Sequence, residues 1–142
     1  MIIVGVDLGH ARTGLAVCDK AELLASPLGV IAQRNWDRLA EQIVEEARRA
    51  GAEALVVGLP RNMDGSEGES AQLAREMGQR LAALSGLPVD FLDERGTTLT
   101  AHGYLNETNT RGKKRKAVVD AVAAVIILED YLRGRKNRAG ET

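Results

Sequence analysis

Three places in this chain hold a carboxylate where its charge needs an answer. Asp7 follows Ile2-Ile3-Val4-Gly5-Val6, a run suited to a buried strand. An acid there sits at the mouth of a core, where desolvation disfavours the ionised form unless a cation compensates. Capping the Leu8-Gly9 bend explains Asp7 equally well. Asp93-Glu94 closes a second apolar run, and side chains alternate across a strand, so only one of the two shares a face with any given inward residue. Pairing with Arg95 is the plain alternative. Asp120 is the last charge before eight apolar residues, Ala121–Leu128. Near a helix start an acid is favoured by the macrodipole whatever else it does.

The three acids together say more than each alone. Two strand-end carboxylates and one helix-start carboxylate can converge at one edge of a mixed sheet. Gathered there, they repel by roughly 4 kcal/mol per close pair at an effective dielectric near 20. A hard divalent cation removes that penalty, and Mg²⁺ or Mn²⁺ takes oxygen ligands. Phosphoryl transfer uses such a centre, one ion generating hydroxide and a second stabilising the leaving oxygen.

The elements that must position these acids follow from periodicity and punctuation. Strands are expected over Ile2–Asp7, Gly14–Cys18, Pro27–Ala32, Ala54–Leu59 and Leu87–Leu92. Helices are expected over Trp36–Ala50, with Asn35 as N-cap and Gly51 as stop, over Ser70–Ser85, over the short segment Thr97–Leu105 and over Lys114–Arg133. Arg61–Glu69 and Asn106–Gly112 read as loops, the former through its Asp64-Gly65-Ser66 turn. The major elements run β-β-β-α-β-α-β-α, an α/β fold with a mixed sheet flanked by helices. Parallel crossovers put the functional crevice at the carboxyl ends of the strands. One domain covers residues 1–134, and 135–142 reads as a flexible basic tail.

Composition bounds the partners. The 142 residues are 44% hydrophobic and 27% charged, which is globular composition with one core's worth of chain. Aromatic residues are only 3%, which leaves no ladder of rings for stacking bases. The single Cys18 excludes an internal disulfide, fits a cytoplasmic setting and is expected to pack in the sheet. Met1–Asp7, which reaches an acid at position 7, is expected to be neither a signal peptide nor a membrane span. Net charge is −1, yet Arg111–Arg138 holds nine Lys or Arg against three acids. That asymmetry points to a polyanion meeting this end. Arg111-Gly112-Lys113-Lys114-Arg115-Lys116 is the expected backbone contact for nucleic acid. Arg12 beside Asp7, and Arg61 and Asn62 after Pro60, are further candidates. His10 and His102 read as surface residues, Thr97 and Thr98 as caps, and Trp36 as a packing residue at a helix start, not as a stacking platform.

Four motifs carry a family resemblance. Val6-Asp7-Leu8-Gly9-His10-Ala11-Arg12-Thr13-Gly14-Leu15-Ala16 resembles the opening D-x-G-x-x-R-x-G-x-A of the YqgF/RuvX family. Gly58-Leu59-Pro60-Arg61-Asn62-Met63-Asp64-Gly65-Ser66 resembles its middle motif, and Asp93-Glu94-Arg95 with Thr97, Thr98 and Ala101 its D-E-R-x-T-T-x-x-A. Lys116, Asp120, Ala123, Ala124, Ile127, Leu128, Tyr131 and Leu132 match its closing helix. The resemblance implies an RNase H-like five-stranded fold related to RuvC. It implies a nuclease, described in that family as a Holliday junction resolvase and as maturing the 5′ end of the small-subunit rRNA precursor. By the same resemblance Asp7, Glu94 and Asp120 are the metal-binding catalytic acids, and junction cutting would call for a homodimer. Gly96 and Val118 depart from the family pattern, which has a bulky apolar and a basic residue there.

Two other readings compete. The hairpin Val6–Ala16 also suits the phosphate-binding turn of an actin/sugar-kinase-like ATP-binding domain, although that class needs two such domains and this chain offers one. A non-catalytic RNA- or DNA-binding module would use the basic run alone.

Overall fold

The computed structural model describes residues 1–9, 11–94 and 112–140, and for helix positions 112–120 and 139–140 the backbone alone. The strands are β1 (Ile3–Asp7), β2 (Thr13–Cys18), β3 (Ala25–Ile31), β4 (Ala54–Leu59) and β5 (Val89–Asp93). The helices are α1 (Trp36–Arg49), α2 (Glu69–Ser85) and α3 (Gly112–Gly140). This is the expected order. The short helix expected over Thr97–Leu105 lies outside the described residues, as do His10, Arg95, Gly96, His102 and most of the Asn106–Gly112 loop.

The five strands form one sheet in the order β3-β2-β1-β4-β5. β1–β2 and β2–β3 are antiparallel, β1–β4 and β4–β5 parallel. β3 begins two residues earlier than its apolar content suggests, because the pairing of Cys18 with Ala25 extends the ladder toward the hairpin. It can carry Pro27 because it is an edge strand. β1 and β4 are covered on both faces, which explains their nearly unbroken apolar sequences.

Alternation sorts the strands' side chains between two cores. Val4, Val6, Leu15, Leu55, Val57 and Leu59 pack with the buried stripes of α1 and α2. Ile3, Ala16, Cys18, Ala54 and Val56 pack instead with Ala124, Leu128 and Leu132 of α3. Asn35 caps α1, its side chain accepting from the Arg38 N–H. α2 approaches β5 closely at Gly78, where any Cβ would run into the Phe91 ring. α3 approaches β1 closely at Gly5, where a Cβ would stand 3.0 Å from Leu128 Cβ and 3.2 Å from the Ala124 carbonyl oxygen.

α3 does not stop at Gly134. It continues to Gly140, so the expected frayed tail is, up to that residue, helix. A mid-helix glycine costs only about 1 kcal/mol, and Arg135 just beyond it is anchored. Its Nε donates to Glu22 at 2.8 Å, and Glu22 also accepts from the chain's amino terminus at 2.9 Å. This clasp ties the far end of α3 to the start of β1, so α3 runs antiparallel to β1.

Candidate functional site

A cleft of about 390 Å³ opens at the carboxyl ends of the parallel strands, where a sheet of this winding places its crevice. Asp7 at the end of β1 and Glu94 just past β5 line it, together with Gly58 and Pro60 from the end of β4. Trp36 at the start of α1 and Ser70, Leu73 and Ala74 of α2 complete the far wall.

β4 stands between the strands that carry the two acids. With strands about 4.8 Å apart, β1 and β5 are roughly 10 Å apart, so both side chains must converge above the end of β4. Gly58 makes that room. A Cβ at this position would lie 3.2 Å from Glu94 Cδ and 3.3 Å from Oε2, and 2.7 Å from Cδ1 of Ile127 on α3. In the sequence Gly58 stands only as one member of a motif, with no role of its own. The available signal was a glycine inside an otherwise continuous buried strand, a mark of close approach.

The two faces of β5 separate Asp93 from Glu94. Phe91 packs toward α1 and α2, and Leu92 toward α3. By alternation Asp93 follows Phe91 and Glu94 follows Leu92. Asp7 shares the parity of Ile3 and Gly5, which also face α3. The Glu94 N–H continues the ladder, donating to the Leu59 carbonyl at 3.1 Å, and this fixes the residue at the end of the sheet. Burial, and secondarily the Asp93 charge, push the Glu94 carboxyl above the usual carboxylate range. Asp93 lies on the other side, 3.5 Å from the Arg61 guanidinium.

Arg61 is therefore already engaged by carboxylates. It also pairs with Glu67 at 3.2 Å, and Glu67 accepts two hydrogen bonds from Arg75 at 2.6 and 2.7 Å. The Arg75 guanidinium in turn lies over the Phe91 ring. This chain of charges binds the loop after Pro60 to α2 and β5. The Asn62 amide is spent inside that loop, donating to the Ser66 hydroxyl, which donates to Asp64. Arg12 is half-buried at the entry to β2, and its carbonyl oxygen presses so closely on Gly9 that no side chain fits there. Cys18 is buried in the sheet as expected, its Sγ accepting from the Ile3 N–H at 3.2 Å. Trp36 packs partly against the core and also faces the cleft, which its reading as a packing residue did not include.

The side chains of Asp120, Lys113, Lys114, Arg115, Lys116 and Val118 lie outside the described residues, but their backbone is helical. Position 120 precedes Ala124 by four residues, about 6 Å along the axis. Ala124 lies over Gly5, and Asp7 is two residues beyond Gly5, about 6.6 Å along its strand. Since α3 and β1 run antiparallel, backbone position 120 comes level with the end of β1. Positions 113–116 continue outward past that edge. Among the described residues no group of three acids, histidines or cysteines stands close enough to hold a metal ion, and no helix is long and apolar enough to cross a membrane.

Residues 1–134 match the RuvX family, described as Holliday junction resolvase. A protein of Symbiobacterium thermophilum named "Putative pre-16S rRNA nuclease" is 40% identical over 142 residues, 100% of this chain and 99% of its own length. One of the same name from Moorella thermoacetica is 43% identical over 132 residues, covering 93% of this chain and 94% of its own. Among solved structures, the fold is similar to Thermus thermophilus RuvC in complex with a Holliday junction substrate, with TM-score 0.61, 17% identity and 96% of each chain covered. The fowlpox virus Holliday junction resolvase aligns with TM-score 0.56 and 12% identity over 94% of this chain and 99% of its own.

Proposed function

The chain belongs to the RuvX family of nucleases, and from that premise we propose that its cleft hydrolyses nucleic-acid strands with Asp7, Glu94 and Asp120 as the carboxylates around a divalent ion. The observation that carries the reading is that Asp7 and Glu94, from strands that are not neighbours, line one cleft beside a glycine whose missing side chain leaves room for Glu94. The donors fit a hard cation. They are carboxylate oxygens, and burial already disfavours the ionised form of Glu94, a penalty that Mg²⁺ or Mn²⁺ would offset. When bound, such an ion activates water and neutralises charge on the leaving oxygen.

The chain's own residues supply position. β1 and β5 hold two acids on the face that α3 covers, and the backbone level of position 120 suits a third. The basic run Lys113–Lys116 lies where a strand entering the cleft would pass, and supplies phosphate contacts with Arg12. Arg61, paired with Asp93 and Glu67, and Asn62, bonded within its loop, shape the cleft rim and present the loop's side to the phosphates of a bound strand. The names of the relatives suggest precursor ribosomal RNA, and hence the cytoplasm, as the place of action. The family description suggests branched DNA, for which paired incision would need a homodimer.

Matched RNA, single-stranded DNA and four-way junctions, offered in Mg²⁺ and in Mn²⁺, test both. Cleavage is expected to vanish in chelator, return with either ion, and be lost in Asp7→Asn and Asp120→Asn, both still folded. Chelator would also remove the thermal stabilisation that Mn²⁺ gives the wild type and not Asp7→Asn. Undiminished turnover in excess chelator overturns the proposal. Sedimentation with and without a junction reads the oligomeric state that the branched-DNA reading requires.

A further inference from the structure

The wall of the cleft opposite the acids is apolar, built from Trp36, Pro60, Leu73 and Ala74. Catalysis by carboxylates makes no use of it. Leu73 is 36% exposed, and Trp36 is half-exposed and packs in part against the core. Apolar surface left open inside a cleft marks a place that something apolar covers.

Among the described residues, the other aromatic side chains are committed elsewhere. Phe91 lies between Gly78 and Arg75, and the Tyr131 hydroxyl donates to Asp90 at 2.9 Å. Trp36 is the aromatic residue in the cleft among the described residues. It is flanked in sequence by exposed Arg34 and Arg38. A partly exposed aromatic face in a cleft takes a base of a single strand by stacking, and cations along the strand's path meet its phosphates. Ser70, on the same wall, offers a hydroxyl to a base edge.

We propose that Trp36 and Leu73 form a slot that receives an unpaired base of the strand being cut, placing the adjoining phosphodiester beside Asp7 and Glu94. This rests on the nuclease reading and deepens it by naming the substrate class. The slot takes a base out of its stack, so the enzyme selects strands with unpaired nucleotides over continuous duplex. The cleft's volume, about 390 Å³, lies within the range of pockets that enclose small ligands. Trp36 is a positioning residue.

Trp36 is the chain's one tryptophan, so its fluorescence reports this site alone. A short single-stranded RNA or DNA carrying fluorescein is titrated into the full chain, reading fluorescein anisotropy and tryptophan emission together. The same strand with abasic spacers serves as the comparison. Tryptophan quenching should follow the anisotropy rise for the normal strand and be absent for the abasic one. Trp36→Leu, which keeps an apolar residue against the core, should weaken the normal strand by about 5- to 150-fold, the usual range for one stacked base. It should leave the abasic strand unchanged, and Trp36→Phe should restore most of the loss. Anisotropy that rises while tryptophan emission stays constant overturns the slot and leaves the nuclease reading standing. Equal weakening of both strands in Trp36→Leu also overturns it, since Trp36 would then serve packing. No binding of either strand also overturns the slot, whereas the nuclease reading falls only if RNA, single-stranded DNA and four-way junctions all go uncut in Mg²⁺ and Mn²⁺.

Discussion

Gly58→Ala is the smallest change that tests how the acids are brought together. The added methyl would meet Ile127 Cδ1 at 2.7 Å and the Glu94 carboxyl at 3.2–3.3 Å. Ile127 can retreat by turning its side-chain end, but Glu94 must give by a few tenths of an ångström because its backbone is tied to Leu59. Overpacking a filled interior costs about 1–3 kcal/mol. Alanine's stiffer unfolded chain returns about 0.5–1 kcal/mol. The net loss of about 0.5–2 kcal/mol lowers Tm by roughly 2–8 °C for a chain of this size. Function should suffer more than stability. A displacement approaching 1 Å at a reacting group costs about 100-fold, so kcat should fall about 10- to 100-fold with little change in KM. The assay is strand cleavage at saturating substrate, normalised to the folded fraction from a melt. Gly78→Ala is the control, since it collides with Phe91 on the opposite face and destabilises without reaching Glu94. Wild-type kcat in folded Gly58→Ala would refute the reasoning, because Glu94 would then not need its place above β4.

Glu94→Gln should lose at least about 100-fold in cleavage. Measured without divalent ions at neutral pH, its Tm should not fall below wild type. The Glu94 carboxyl is raised in the folded state, so its contribution to stability is complete below the unfolded pKa and is lost as pH rises through the folded one. Any advantage of the glutamine should therefore shrink on acidification. Asp93→Asn should keep measurable activity and cost about 0.5–1 kcal/mol through the half-exposed Arg61 pair, as read in urea melts. Replacing Lys113, Lys114 and Arg115 together by Ala should flatten the log–log salt dependence of binding by about 0.7–0.9 for each phosphate no longer neutralised; an unchanged slope would mean the run does not touch the strand. Glu22, held down at about 2 chiefly by the Arg135 hydrogen bonds and then by the amino terminus, stabilises the fold above the ordinary carboxylate range. Glu22→Gln should cost about 1 kcal/mol at pH 7 after solvent screening, and melts should converge with wild type as pH falls toward 2.

The elements were legible in the sequence because each is punctuated: Asn35 and Gly51 around α1, Gly86 after α2, Pro60 after β4. What escaped depends on contacts between distant segments. The last helix is expected to end at Arg133, and α3 runs on through Gly134, where Arg135 finds Glu22, 113 residues away in the chain. Arg61 and Asn62 read as candidate nucleic-acid contacts over the strand edge, and their partners Asp93, Glu67 and Ser66 are set by the fold. Trp36 reads as packing from its place at a helix start, and it does pack in part against the core. That its other side meets a cleft depends on α2 lying beside α1, which no local pattern encodes.

The division of labour between Asp93 and Glu94 shows where sequence reading stops and why. Alternation separates Phe91 and Asp93 from Leu92 and Glu94, but it cannot say which face carries α3. The odd face of β5 carries Val89 and Phe91 and the even face Asp90 and Leu92, a difference that does not say which helix covers which face. The answer comes from three close approaches: Leu128 on Gly5, Ile127 on Gly58, and Phe91 on Gly78. The first two put α3 against the odd residues of β1 and the even residues of β4. The third puts α2 against the odd residues of β5. Parity then assigns Asp7 and Glu94 to one face of the sheet and Asp93 to the other, where Arg61 meets it. Each of these assignments turns on a glycine, and the two adjoining acids differ in chemistry because three absent side chains let helices settle onto opposite faces of one sheet.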